Sequence, residues 1–168
     1  MKIGIIGPTK IDEFCKLIGM KKNKYIKAII NISRLLKNHE IILTTDKNSV
    51  AEIFAKEYKK AGGKKVVGIV PRDDKEFGYS WINLSVCDEI INCGTWRNQP
   101  EKLCEESNII LCLGFSPGSL IEIAYTKWFK VKKILILKEL ISKELPEEIN
   151  KKLNIKYISI RDLKNELF

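Results

Sequence analysis

The feature that most constrains this chain is a series of short, uninterrupted apolar runs, each followed by a segment of helical periodicity. Lys2–Ile6, Glu40–Thr44, Lys65–Val70 and Asn108–Leu113 are such runs. A strand with one face in water alternates apolar and polar residues, whereas a strand covered on both faces is apolar throughout. The pattern therefore predicts a parallel sheet with helices packed on both faces. Further strands are read at Glu89–Asn92, Lys133–Leu137 and Lys156–Ile160. Helices are read at Lys24–Lys37, Val50–Ala61, Trp96–Glu106, Leu120–Phe129, Pro146–Lys152 and Arg161–Leu167. Tyr25, Ile29, Ile32 and Leu36 form the apolar stripe of the first. Gly62-Gly63 ends the second, as residues able to adopt a left-handed conformation do. No helix is assigned between Ile6 and Lys24, and Asp73–Trp81 reads as an irregular loop. Strand–helix units joined by right-handed crossovers give a Rossmann-like, doubly wound α/β fold. No linker, repeat or low-complexity tract interrupts residues 1–168, which read as one Rossmann-like domain.

With 45% hydrophobic and 30% charged residues, the composition is that of a globular protein. No apolar run approaches the roughly 20 residues of a membrane helix. The N-terminus opens on a strand pattern without a signal-peptide layout, so the expected location is the cytoplasm. Five cysteines, an odd number with no CxxC pair, argue against a disulfide framework and against zinc. Cys112 reads as a small core residue, and the lone histidine, His39, as structural. No metal and no resident cofactor are expected. The net charge of +9 comes from lysines scattered among glutamates, as at Lys56-Glu57 and Glu147-Glu148 with Lys151-Lys152. No compact basic run with interleaved aromatics occurs, so the charge reads as a solvated surface rather than a nucleic-acid face.

Three strand-to-helix turns are suited to ligand contact: Gly7-Pro8-Thr9, Thr44–Ser49 and Gly114–Ser119. In doubly wound sheets ligands bind beyond the carboxyl ends of the strands, and helix N-termini there offer N–H groups to anions. The candidate binding residues are Gly7, Pro8, Thr45, Gly114, Ser116, Gly118 and Ser119, with Asn98 from the next turn. Glu122 and Arg97 are the candidates for chemistry. A cation in the first turn of a helix opposes the helix dipole at a cost of about 0.3–1 kcal/mol. Arg97, read in that position, calls for an anion: a ligand phosphate or Glu122. Each residue also has a plainer reading. Ser119 to Glu122 has capping-box spacing, as does Ser49 to Glu52, and Arg97 suits a surface side chain.

The segment Gly94-Thr95-Trp96-Arg97-Asn98, the strand Asn108–Leu113 and Gly114–Ala124 together resemble the LONELY GUY family and its bacterial and archaeal relatives, long labelled lysine decarboxylases. That family carries an arginine-containing helix, an apolar strand and then a PGGxGTxxE motif. Gly114, Gly118, Ser119 and Glu122 fall on its first glycine, later glycine, threonine and glutamate. Ala61-Gly62-Gly63 through Val66–Pro71 is similar to another family segment. The resemblance implies a homodimer that binds a nucleoside monophosphate and hydrolyses its N-glycosidic bond, with Glu122 and Arg97 catalytic. This chain departs from the pattern at Phe115 and Ser116, which replace glycines, and at Asp46, where relatives carry a second glycine cluster. Asp46 would repel a phosphate unless Lys47 compensates or Asp46 caps the helix. Three functions stay open: a phosphoribohydrolase, a non-catalytic carrier of a nucleotide or of a nucleotide-like cofactor such as molybdenum cofactor, and a nucleic-acid-handling protein.

Overall fold

The computed structural model describes residues 1–167. Seven strands, β1 (Lys2–Ile6), β2 (Glu40–Leu43), β3 (Lys65–Val70), β4 (Glu89–Asn92), β5 (Ile109–Cys112), β6 (Lys133–Leu137) and β7 (Ile155–Ile158), form one sheet. The helices are α1 (Ile11–Leu17), α2 (Lys22–Leu35), α3 (Val50–Lys60), α4 (Gln99–Glu106), α5 (Pro117–Tyr125), α6 (Glu147–Asn150) and α7 (Leu163–Leu167). Strand order is β4-β3-β2-β1-β5-β6-β7, with every neighbouring pair parallel. The chain starts in the middle and winds outward to β4. It then returns to the other side of β1 and winds outward again through β5, β6 and β7.

Alternation along each strand divides the core into two layers. Ile3, Ile5, Ile41, Leu43, Leu111 and Leu135 face α1, α2, α3 and α7. Ile6, Ile42, Ile69, Ile110, Cys112 and Ile136 face α4 and α5. Both sets are buried, which is why the strands are apolar throughout. A right-handed crossover puts the helices of the two outward windings on opposite faces of the sheet, as seen.

The expected strands are all present. Two differences from the sequence reading of the helices shape the β5–α5 turn. The first is α1, lying where no helix was assigned. Ile11, Phe14 and Cys15 are its buried residues, at the i, i+3, i+4 spacing of a single apolar stripe. It carries no side-chain cap at Lys10, so the usual start signal is missing. The second is the start of the helix after β5, which lies at Pro117 rather than Leu120. Ser116 is the N-cap, and its hydroxyl accepts from Ser119 N at 3.1 Å while Ser116 N donates to Ser119 Oγ at 2.7 Å. The capping pair is therefore Ser116 with Ser119, and Glu122 is released from the capping role.

α1 braces the β5–α5 turn. Gly114 has φ +140°, a conformation suited to glycine, and a Cβ placed there would lie 2.4 Å from Phe14 Cζ. Phe14 packs against Tyr25 with ring centroids 5.3 Å apart, and the Tyr25 hydroxyl donates to the Leu113 carbonyl at 2.7 Å. Gly118 differs: its φ is ordinary, and the nearest atom to an added Cβ is Ser116 Oγ at 3.9 Å. Gly114→Ala is therefore expected to destabilise the fold by about 2–4 kcal/mol. Gly118→Ala should stay within about 1 kcal/mol of the parent, since alanine suits a helix. Urea unfolding of the two variants checks the contrast.

Candidate functional site

β1 and β5 are adjacent, yet the connections that leave them run to opposite faces. Beyond their carboxyl ends lies a cleft of about 440 Å³. Gly7 and Thr9 line it after β1, Thr44 and Asp46 after β2, and Ser116, Gly118, Ser119 and Glu122 after β5. Trp96, Gln99 and Pro100 close it from the start of α4. The first residues of α3, α4 and α5 all reach this cleft, through Ala51, Gln99 and Pro117. Three helix N-termini thus open on it, each with N–H groups that have no partner within the helix. Among the described residues, no lysine, arginine or histidine lines the cleft, whereas the carboxylic acids Asp46 and Glu122 do.

Glu122, on the second turn of α5, is oriented by Gln99. The Gln99 amide donates both to Glu122 Oε1 at 2.9 Å and to Thr44 Oγ1 at 3.0 Å. It thereby ties α4, α5 and the end of β2 together at the cleft floor. Burial pushes the Glu122 carboxyl up to about 7; the Gln99 hydrogen bond pulls the other way and the charge of Asp46 adds to the rise. Asp46 follows the same logic. Burial raises it to about 6, against a hydrogen bond from the Trp81 side chain. Its Oδ1 is buried and has no hydrogen-bond partner among the described residues. Ser49, not Asp46, caps α3, accepting from Glu52 N at 3.2 Å.

The structure gathers Gly7, Ser116, Gly118, Ser119 and Glu122 around the cleft. The other candidates lie elsewhere. Thr45 is fully buried and donates its hydroxyl to the Asn83 carbonyl at 2.8 Å. Pro8 lines a neighbouring groove with Phe14 and Phe115, and Asn98 one with Cys93 and Lys102. Gly114 shapes the turn beneath Phe14 without lining the cleft.

Arg97 corrects the expectation most clearly. α4 begins at Gln99, so Arg97 precedes the helix and no dipole penalty calls for an anion. Its guanidinium, largely exposed, pairs with Glu76 at 3.0 Å and does not meet Glu122. Gln99 takes the place beside Glu122 that Arg97 was read to fill. Gln99 and Trp96 went unread, and Thr44 and Asp46 were read only as part of the turn after β2; the local signal for Gln99 is Pro100, a residue favoured in a first helical turn.

The profile of the SLOG cluster4 family matches residues 1–166. The chain belongs to this family. The match agrees with the superfamily to which the motifs around Gly114 and Glu122 point. This SLOG member also shares its fold with solved structures. The molybdenum cofactor carrier protein MCP of Chlamydomonas reinhardtii superposes with a TM-score of 0.70 at 18% identity, covering 99% of this chain and 95% of that one. The molybdenum cofactor binding protein of the phototrophic bacterium Rippkaea orientalis gives 0.68 at 18% identity, covering 99% and 94%. At such identities the likeness concerns the fold. No curated protein matches the sequence.

The acid pair makes stability depend on pH. A carboxyl raised from 4.5 to about 7 contributes stability that is complete below 4.5 and lost as pH rises through about 7. Ionising Glu122 in the fold thus costs on the order of 3 kcal/mol. Glu122→Gln keeps the shape and removes that cost. Its Tm relative to the parent should be several degrees more favourable at pH 8 than at pH 4, as thermal unfolding at the two values will show.

Proposed function

We propose that the cleft binds a nucleoside 5′-monophosphate and hydrolyses its N-glycosidic bond, giving free base and ribose 5-phosphate. The observation that carries this reading is Glu122, held by Gln99 in the cleft with its carboxyl raised to about 7 beside Asp46 raised to about 6. Strongly perturbed acids in a cleft are a mark of reactive sites. A volume of about 440 Å³ suits a nucleotide. With no cation in the lining, the phosphate is assigned to the N-terminus of α5, to the Gly118 N–H and to the Thr9 hydroxyl.

The chemistry follows from the pair. Loss of the base builds positive charge on the ribose, and a carboxylate facing it lowers that barrier. Between about pH 6 and 7 the two acids together hold one proton. Glu122 in its protonated form donates a proton to the leaving base nitrogen as the glycosidic bond breaks. Water attacks the anomeric carbon and gives up a proton to the Glu122 carboxylate so formed. Water is consumed, and Glu122 ends with its proton restored. Arg97, paired with Glu76 away from the cleft, has no part in this scheme.

A second reading has its own support: the cleft as a carrier site that holds a nucleotide-like cofactor without cleaving it. Two solved structures of like fold are a molybdenum cofactor carrier protein and a molybdenum cofactor binding protein. The arginine that the resemblance assigns to catalysis is also absent from the cleft.

Incubation with a mixture of nucleoside monophosphates, followed by liquid chromatography and mass spectrometry, separates the two. The hydrolase reading expects base and ribose 5-phosphate, with a loss of at least about 100-fold in Glu122→Gln. A nucleotide that raises Tm but is not cleaved replaces it with the carrier reading. Neither release nor a Tm shift, for any nucleotide, overturns both.

A further inference from the structure

Asp46 has an environment that the hydrolytic scheme does not explain. It lies in the turn between β2 and α3, which is clamped to residues 81–83 as a short antiparallel ribbon. Lys47 N donates to the Trp81 carbonyl, and Asn83 N to the Thr45 carbonyl, each at 2.8 Å, with Asp46 bridged to Ile82. The ribbon therefore fixes the Asp46 backbone at the cleft. A buried acceptor with no donor is costly, and such an atom at a cleft wall marks the place of a ligand donor.

The same ribbon fixes an aromatic wall. Trp81 lies flat against Trp96, with ring centroids 5.5 Å apart and planes 5° from parallel. The Trp96 indole N–H is spent on the Gly78 carbonyl at 2.7 Å, so this residue offers the cleft a π surface and no donor. Asp46 is joined to the stack through its hydrogen bond from Trp81. An acceptor and an aromatic surface thus both line one cleft, with Trp81 linking them.

We infer that Asp46 and Trp96 form the base-reading end of the cleft, selecting a planar heterocycle that presents an amino group to Asp46 Oδ1 and stacks at Trp96. This rests on the nucleotide reading above and adds the class of base to it. A ribose hydroxyl would also supply a donor, but the indole wall beside the acceptor favours a flat ring.

Dissociation constants measured by titration calorimetry at pH 8 test the assignment. The probes are two pairs, each differing by a single amino group: AMP against purine riboside 5′-monophosphate, and GMP against IMP. In at least one pair the amino-bearing member is expected to bind about 10-fold tighter or more, since a site built around a polar group rejects the analogue that lacks it. Asp46→Asn should collapse that preference to less than about threefold, and Trp96→Leu should weaken every purine by about 10-fold while the preference survives. In a Trp128→Phe background the remaining tryptophans, Trp81 and Trp96, should be quenched by the bound base. Circular dichroism verifies that each variant is folded, and the Trp96 series stands alone if Asp46→Asn is not. Equal affinity within both pairs, or a preference untouched by Asp46→Asn, overturns this inference and leaves nucleotide binding intact. Loss of affinity for 2′-deoxy nucleotides that vanishes in Asp46→Asn assigns Asp46 to the sugar and also overturns it. Failure of every nucleotide to bind removes the underlying reading as well.

Discussion

The reversal of strand order at β1 is the constraint on which the rest depends. Parallel strands need crossovers, and right-handed crossovers send the two outward windings to opposite faces. Between β1 and β5 no connection covers the sheet end, and a cleft is left by topology alone. Every helix that follows a strand begins at that end. The same rule that opens the cleft therefore points N-termini of α3, α4 and α5 toward it. Residues far apart in sequence, from Gly7 to Glu122, become neighbours through connectivity rather than through any local motif.

What the cleft does chemically is set by what is missing from its lining. Had Arg97 reached Glu122, an ion pair would have pulled the carboxyl below its ordinary range and fixed it as an anion. The partner is instead Gln99, a neutral amide that orients the acid without settling its charge. Burial then governs, and Glu122 rises to the neutral range with Asp46 close behind. A site in which helix N-termini supply the positive potential and two acids remain poised is suited to a ligand with an anionic end and a donor-rich or developing positive end. A nucleotide at its glycosidic bond has both.

Much of the fold was legible, because the periodicity of burial is a local property. Runs such as Ile109–Cys112 are apolar on both faces because both faces are covered, and the sequence shows it directly. α1 was not read: it has seven residues, one short stripe and no side-chain cap. The start of α5 was displaced because two serines, Ser116 and Ser119, each fit a cap; Pro117, favoured at the first helical position, was the deciding signal. Within the site, Glu122 and the Gly118–Ser119 turn were readable since a motif places them on one βα unit. Gln99 and Trp96 were not, and Asp46 was read only as a charge near a phosphate, since their contacts join α4, the β2 turn and the 73–81 loop across the sheet. Arg97 was misread for a related reason: three residues of offset at the start of α4 move it from a helix terminus to an exposed pair with Glu76.

The central claim is that Glu122 is a neutral-range acid standing in a ligand site. Carbon-13 NMR of side-chain carboxyls, with Glu122 assigned by its substitution, reads that titration directly in the free protein and with a nucleotide added. The account predicts a midpoint near 7 that moves when the nucleotide binds. A midpoint in the ordinary carboxylate range, near 4.5 and indifferent to nucleotide, would contradict it.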